Sequence, residues 1–198
     1  EVEGSVRFNP AVTAQPNGAA IIALASAGPL ADGPLAVDLE LPDTATASLS
    51  HRMGSIELLA DVGWTGWSSV QELRVVREGG EVLSVTPEEW NDTWRFALGG
   101  TYEMSDSLKL RAGVAFDETP VPDATRTARL PDTDRTWVAL GAQWNLGDAL
   151  VIDAGYAHLF SDDVPLDQDQ DSIPAYGLLN GEQESAVDIV SVQATYRF

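Results

Sequence analysis

The side chains able to do chemistry in this sequence are spaced for binding rather than for bond-making. The two histidines, His51 and His158, lie 107 positions apart and make no metal or acid/base pair. Serine, histidine and aspartate all occur, but no spacing gathers a nucleophile, a base and an orienting acid at one place. No HExxH pair and no glycine-rich phosphate loop are written in the chain, and no cofactor is expected. The aspartates of DDVPLDQDQD (Asp162, Asp163, Asp167, Asp169 and Asp171) resemble the start of a calcium loop. Ser172 stands where the sharp-turn glycine belongs, however, and Leu178 where the bidentate glutamate belongs. A solvated acidic loop, at most bridging divalent ions, is the reading that remains. More informative are charges placed in alternation with apolar residues: Glu57, Asp61, Arg95, Glu103, Lys109, Arg111, Asp117 and Asp153. Buried charges must be paired or solvated, so such a set suits a watered, salt-bridged interior. Ile21, Ile22 and Leu24 crowd a loop that would seldom carry them unless they met something apolar.

Alternation of this kind needs strands to position it. The C-terminal stretch SAVDIVSVQATYRF sets Val190, Val192, Ala194, Tyr196 and Phe198 on one face and Ser191, Gln193, Thr195 and Arg197 on the other. Seven earlier segments repeat the split: Glu1 to Phe8, Leu35 to Ser50 with a kink at Pro42, Ser55 to Leu73, and segments around Trp94–Glu103, Leu108–Asp117, Trp137–Leu146 and Leu150–Phe160. In the third, Trp67 falls on the inward face with Glu57 and Asp61. Connections after the second, fourth and sixth strands are short (HRMG, EMSDS, NLGD), whereas the others are long and acidic. Short turns on one rim and long loops on the other are the layout of an outer-membrane barrel, with the short rim periplasmic. Aromatics at outward parity form two belts. Tyr102, Trp144, Tyr196 and Phe198 lie by the short turns, and Trp64, Trp94, Phe116, Tyr156 and Phe160 lie by the long loops, matching the two bilayer interfaces. A soluble β-sandwich has no reason to repeat both belts and both loop lengths.

Composition narrows the partners. A net charge of −20, from 31 acidic and 11 basic residues, excludes the basic patch that nucleic acid requires. The chain has no cysteine, and no run approaches the roughly 18 apolar residues of a membrane helix, so any span is built from strands. EVEGSVRFNP has neither the basic start nor the apolar core of a signal peptide, and the alternation already under way there predicts that the protein begins upstream. The connection from Asn9 to Pro34 contains AAIIALASAG, which predicts a short apolar helix ended by Gly28.

From about Asp38 onward the sequence resembles the C-terminal half of the FadL-type outer-membrane transporters of long-chain fatty acids. The likeness is carried by LELPDTATASLS, ADVGWTGWSSVQEL, the passage from NDTWRFALGG through FDETPVP and RLPDTDR to WVALGAQWNL, and the closing ATYRF. The resemblance implies an all-β, antiparallel transmembrane β-barrel of fourteen strands plugged by an N-terminal hatch. Residues 1–198 would supply its last eight strands as one C-terminal part. It implies binding and passive diffusion of a long-chain fatty acid or other hydrophobic small molecule, without catalysis, in the outer membrane of a Gram-negative bacterium. Aromatic or alkane hydrocarbons are the alternative cargo, and a structural or adhesive barrel the alternative role. Implied partners are outer-membrane lipid and lipopolysaccharide, detergent in a purified sample, and no second subunit: a monomer. By position, Asn9 to Pro34 matches a loop of the outer capture groove, with Ile21, Ile22 and Leu24 suited to an acyl chain. Thr86 stands where some relatives place a lysine for the substrate carboxylate. Arg74, Arg77 and Arg95 are the nearby cations that could replace it, and Arg95 has inward parity. Ligand-binding expectations therefore fall on Ile21, Ile22, Leu24, Trp67 and Arg95.

Overall fold

Residues with period-two alternation form strands throughout. The structure, a computed structural model, describes residues 2–6, 33–77, 79–169 and 178–198. In chain order the strands are β1 (Val2–Val6), β2 (Gly33–Val37), β3 (Thr44–Met53), β4 (Ile56–Thr65), β5 (Glu72–Arg77), β6 (Val82–Pro87), β7 (Thr93–Glu103), β8 (Leu108–Asp117), β9 (Arg135–Leu146), β10 (Leu150–Ser161), β11 (Val164–Asp169), β12 (Leu178–Gln183) and β13 (Ala186–Tyr196), with one 3-10 turn at Trp67–Ser69. No described helix is long and apolar enough to cross a membrane, which says nothing against crossing by strands.

The chain divides into two units. In the first, β1, β2, β5 and β6 make a four-stranded antiparallel sheet in that order. In the second, a seven-stranded sheet runs β13-β10-β9-β8-β7-β4-β3, every pair antiparallel, and β11 pairs with β12 in a separate hairpin. Two of the short turns rest on glycines at positive φ, Gly54 at 60° and Gly147 at 70°, a conformation that costs glycine little.

Three expectations are corrected. The strand expected from Leu35 to Ser50 is two strands in two sheets, separated by residues 38–43, where Pro42 lacks the N–H that would continue a ladder. The strand expected from Ser55 to Leu73 stops at Thr65, and the 3-10 turn carries Trp67 out of the alternation. The segment at Glu1 to Phe8 contributes β1 to the four-stranded sheet, leaving seven strands rather than eight in the large sheet among the described residues. Two long loops also carry hairpins of their own, β5–β6 and β11–β12.

The register sorts the large sheet into two faces. Leu58, Leu98, Val114, Leu140, Ile152 and Val192 share one face with both aromatic belts. Ala97, Gly99, Gly113, Ala115, Ala139, Gly141, Gly155 and Ala157 share the other with the charges. Leu98 and Leu140 are 64% and 59% exposed, whereas Ala115 on the opposite face is buried. A curved sheet shields its concave side, so the apolar face is convex and the charged face concave. The concave charges pair with one another across strands: Arg111 with Asp153 at 3.0 Å, Lys109 with Glu103 at 2.8 Å, and Arg52 with both Glu57 and Glu103.

Candidate functional site

At the long-loop end of the concave face, β7 sets Arg95 opposite Gly63 of β4 and Asp117 of β8. Gly63 leaves space there: a Cβ added to it would lie 4.0 Å from the Arg95 Cβ and 3.8 Å from the Thr46 hydroxyl. The result is a cavity of about 560 Å³ whose walls include Trp67, Trp90, Arg95, Val121, Leu130 and Arg135.

The aromatic wall is positioned by the 3-10 turn. Trp67 meets Trp90 edge to face, ring centroids 5.2 Å apart and planes at 78°, a favoured aromatic geometry. The turn is held by two backbone donors. The Gly66 N–H donates to the Asp43 carbonyl at 2.9 Å, and the Ser68 N–H donates to the Asp92 carboxylate at 3.0 Å. The Ser68 hydroxyl, then its N–H, hold the Asp92 carboxyl below the ordinary aspartate value of 3.8, with a smaller contribution from Trp64. Trp64 itself lines the cavity rim, so it belongs to the site as well as to the expected belt.

The opposite wall is the 118–134 loop. Its prolines donate no hydrogen bonds, and side chains fix it instead. The Arg126 guanidinium, 4% exposed, donates to the Asp132 carbonyl at 2.9 Å and to the Asp123 carboxylate at 2.6 Å. Thr119 donates through its N–H to Asp134 at 2.8 Å and through its hydroxyl to Asp132 at 2.7 Å. Val121 is buried beneath this network.

Electrostatics inside the cavity are uneven. Asp61 accepts from the Ser48 hydroxyl. Asp117 and Asp132 each lie 3.4 Å from Arg135, and Glu118 accepts from the Trp94 N–H at 2.8 Å. Each lining carboxylate thus has a partner, whereas Arg95 has neither ion pair nor hydrogen bond among the described residues. A cation without a partner among the described residues, in a cavity also lined by two indoles, suits an anion attached to apolar bulk.

A second hollow on the concave face, about 510 Å³, lies over Gly113, Ala139, Gly141 and Gly155 beside the Arg111–Asp153 pair. An apolar hollow of about 640 Å³ among Leu49, Val62, Phe96, Leu98, Val114 and Phe116 is lined mostly by side chains of the convex face.

The family model described as outer membrane protein transport protein (OMPP1/FadL/TodX) matches residues 3–198. The chain belongs to this family. An outer membrane protein of Neisseria meningitidis serogroup B is 30% identical over 188 residues, 88% of this chain and 40% of the relative. The long-chain fatty acid transport protein of Escherichia coli K12 is 32% identical over 107 residues, 54% of this chain and 24% of the relative. A crystal structure of a Pseudomonas aeruginosa FadL homologue superposes with a TM-score of 0.77 at 34% identity, covering 89% of this chain and 42% of that one. The chain therefore spans less than half of the length of each of these relatives. Membership places it in the outer membrane of a Gram-negative cell, and the sheet is consistent with a partial barrel. Relatives in the OMPP1/FadL/TodX family are named as transport proteins, not enzymes.

Of the residues the sequence singled out, Trp67 and Arg95 come together in one cavity, while Ile21, Ile22 and Leu24, with the expected helix around them, lie outside the described residues. Asp171 and the side chains of Asp167 and Asp169 lie outside them too. Thr86 stands on β6 of the four-stranded sheet, where Arg74 pairs with Glu72 at 2.7 Å and Arg77 with Glu81 at 3.6 Å. Arg95 is left as the cation of that set without a pairing. Sequence reasoning missed Trp90, whose indole completes the aromatic wall, and Arg126, which fixes the loop. A tryptophan and an arginine in loops carry no periodic signal.

Proposed function

We propose that the protein moves long-chain fatty acids across the outer membrane by binding and passive diffusion, with no covalent step. The observation that carries this reading is Arg95, unpaired among the described residues in a cavity whose carboxylates are all engaged. A substrate carboxylate would accept a charge-assisted hydrogen bond from it, worth about 1.5–3 kcal/mol. The acyl chain would lie against Trp67, Trp90, Val121 and Leu130, gaining roughly 0.8 kcal/mol for each methylene buried. Ile21, Ile22 and Leu24 would offer the first apolar contact outside, and the hollow over Gly113 and Gly141 the next station inward. The protein would act as a monomer surrounded by outer-membrane lipid and lipopolysaccharide, replaced by detergent on purification.

A second cargo has its own support. The edge-to-face Trp67–Trp90 pair suits an aromatic or alkane hydrocarbon, for which Arg95 would be a bystander. Uptake of labelled oleate and of toluene by a deletion strain, each with and without the full-length gene, separates the two. Restoration of oleate uptake supports the fatty acid reading; restoration of toluene uptake alone replaces it with the hydrocarbon reading. If the gene restores neither, both transport readings fall.

A further inference from the structure

The convex face carries one anomaly. Among the described side chains that the register puts on that face, from β3 to β13, Asp188 is the sole aspartate, glutamate, lysine or arginine. A carboxylate on a lipid-facing wall is costly near the midplane and tolerated towards the interfaces. Asp188 sits two positions into β13, directly across from His158, three positions before the end of β10, at the rim bearing the long loops. By the layout of such barrels that rim is external, so Asp188 lies at the headgroup level of the outer leaflet.

Its surroundings are built. The Tyr156 hydroxyl donates to Asp188 Oδ1 at 2.7 Å, and His158 Nδ1 meets the same oxygen at 2.7 Å. The His158 ring in turn meets Phe160 edge-on, centroids 4.3 Å apart. Even so, the Asp188 side chain is 62% exposed, and both bonds converge on one oxygen, leaving Oδ2 to a donor from outside. Phe160 and Tyr156 present exposed rings on either side of His158 along the same strand face.

We propose that Tyr156, His158, Phe160 and Asp188 form a site on the outer wall of the barrel for the headgroup of an outer-leaflet glycolipid. Asp188 accepts a hydrogen bond from a sugar hydroxyl or ammonium, and the Phe160 ring packs against the sugar. A fixed carboxylate with an aromatic platform fits a ligand that offers donors and an apolar ring edge. A bare phosphate fits poorly, because the cluster holds no fixed cation. The site is on the opposite side of the sheet from Arg95, so it does not depend on what the cavity carries.

The test uses the full-length protein, purified and reconstituted in phosphatidylethanolamine vesicles containing lipopolysaccharide, then re-extracted in mild detergent. Lipopolysaccharide retained per protein is read by native mass spectrometry. Asp188→Asn and Phe160→Leu should each retain about one tenth of the wild-type amount, the effect of losing one charge-assisted bond or one packed ring. The outward control Leu98→Ala should retain it all. Wild-type retention in both site variants would overturn the proposal. Complete loss from the wild type on adding EDTA would overturn it too, by showing a divalent ion bridging carboxylate to phosphate. Should Asp188→Asn fail to insert, His158→Gln and Phe160→Leu decide on the same readout.

Discussion

At the scale of single residues, the site turns on which charges are already spent. Arg95 and Arg135 are both inward arginines at the same rim, yet Arg135 is held by Asp117 and Asp132 while Arg95 is not. Replacing Arg95→Gln in the full-length protein should weaken oleate binding roughly ten- to hundredfold, the worth of a charged hydrogen bond. Binding of oleyl alcohol, which has no carboxylate, should change less than about threefold. Tryptophan fluorescence titration of the purified protein reads both, and equal losses for the two ligands would remove Arg95 from the carboxylate role. Gly63→Leu tests the space itself. Its Cβ meets only ordinary contacts, so the barrel should fold while the added side chain fills part of the cavity and slows oleate uptake in cells.

Asp92 gives a pH dependence of known sign. Its pKa is depressed in the folded protein by Ser68, so its hold on the 3-10 turn is fully present above the ordinary value of 3.8 and is lost as pH falls through the lower, folded value. The near-ultraviolet circular dichroism of the Trp67–Trp90 pair should therefore fade only below about pH 4. In Asp92→Asn the signal should be weaker at neutral pH and flat with acid. A variant as pH-sensitive as the wild type would show that another group governs the turn.

At the scale of elements, the 118–134 loop is a fixed wall, not a loose strap. Its buried guanidinium is satisfied by a carboxylate and by the Asp132 and Val121 carbonyls, and leaving a buried carbonyl without its donor costs about 1–3 kcal/mol. Arg126→Ala should open the loop without touching the sheet. Limited proteolysis of the full-length protein should then cut between residues 118 and 134, while the folded barrel keeps its heat-modifiable migration on a gel. Resistance of the variant to cleavage would assign the loop's order to Thr119 and its aspartate partners instead. The 3-10 turn is the other decisive element. Continuing β4 beyond Thr65 would have carried Trp67 along the sheet, whereas the turn brings it to Trp90.

At the scale of the whole molecule, the large sheet has two open edges. Among the described residues β3 and β13 each pair on one side only, and open edges do not survive in hydrocarbon. We propose that further strands cover them in the membrane. The 198 residues expressed alone should therefore fail to give a heat-modifiable monomer in detergent micelles and should not restore uptake, whereas the full-length gene should do both. A stable monomeric barrel from the short chain would show that β3 and β13 close on each other.

Period-two alternation, paired aromatic belts and the short-long rhythm of connections are local properties, and they told strand from helix, the apolar face from the charged face and one rim from the other. The FDETPVP and RLPDTDR passages likewise carried the family. Partnership across strands is a different matter. Asp188 and His158 are thirty positions apart, and only the register of β13 on β10 makes them neighbours; in the sequence Asp188 is merely one acid in phase with Val190 and Val192. The same holds for Arg135 engaging the carboxylates while Arg95 has no partner among the described residues, and for the break at Pro42 that sends β2 and β3 to different sheets. Periodicity says which way a side chain points, but long-range pairing decides what it meets there, and free charge is a property of that meeting.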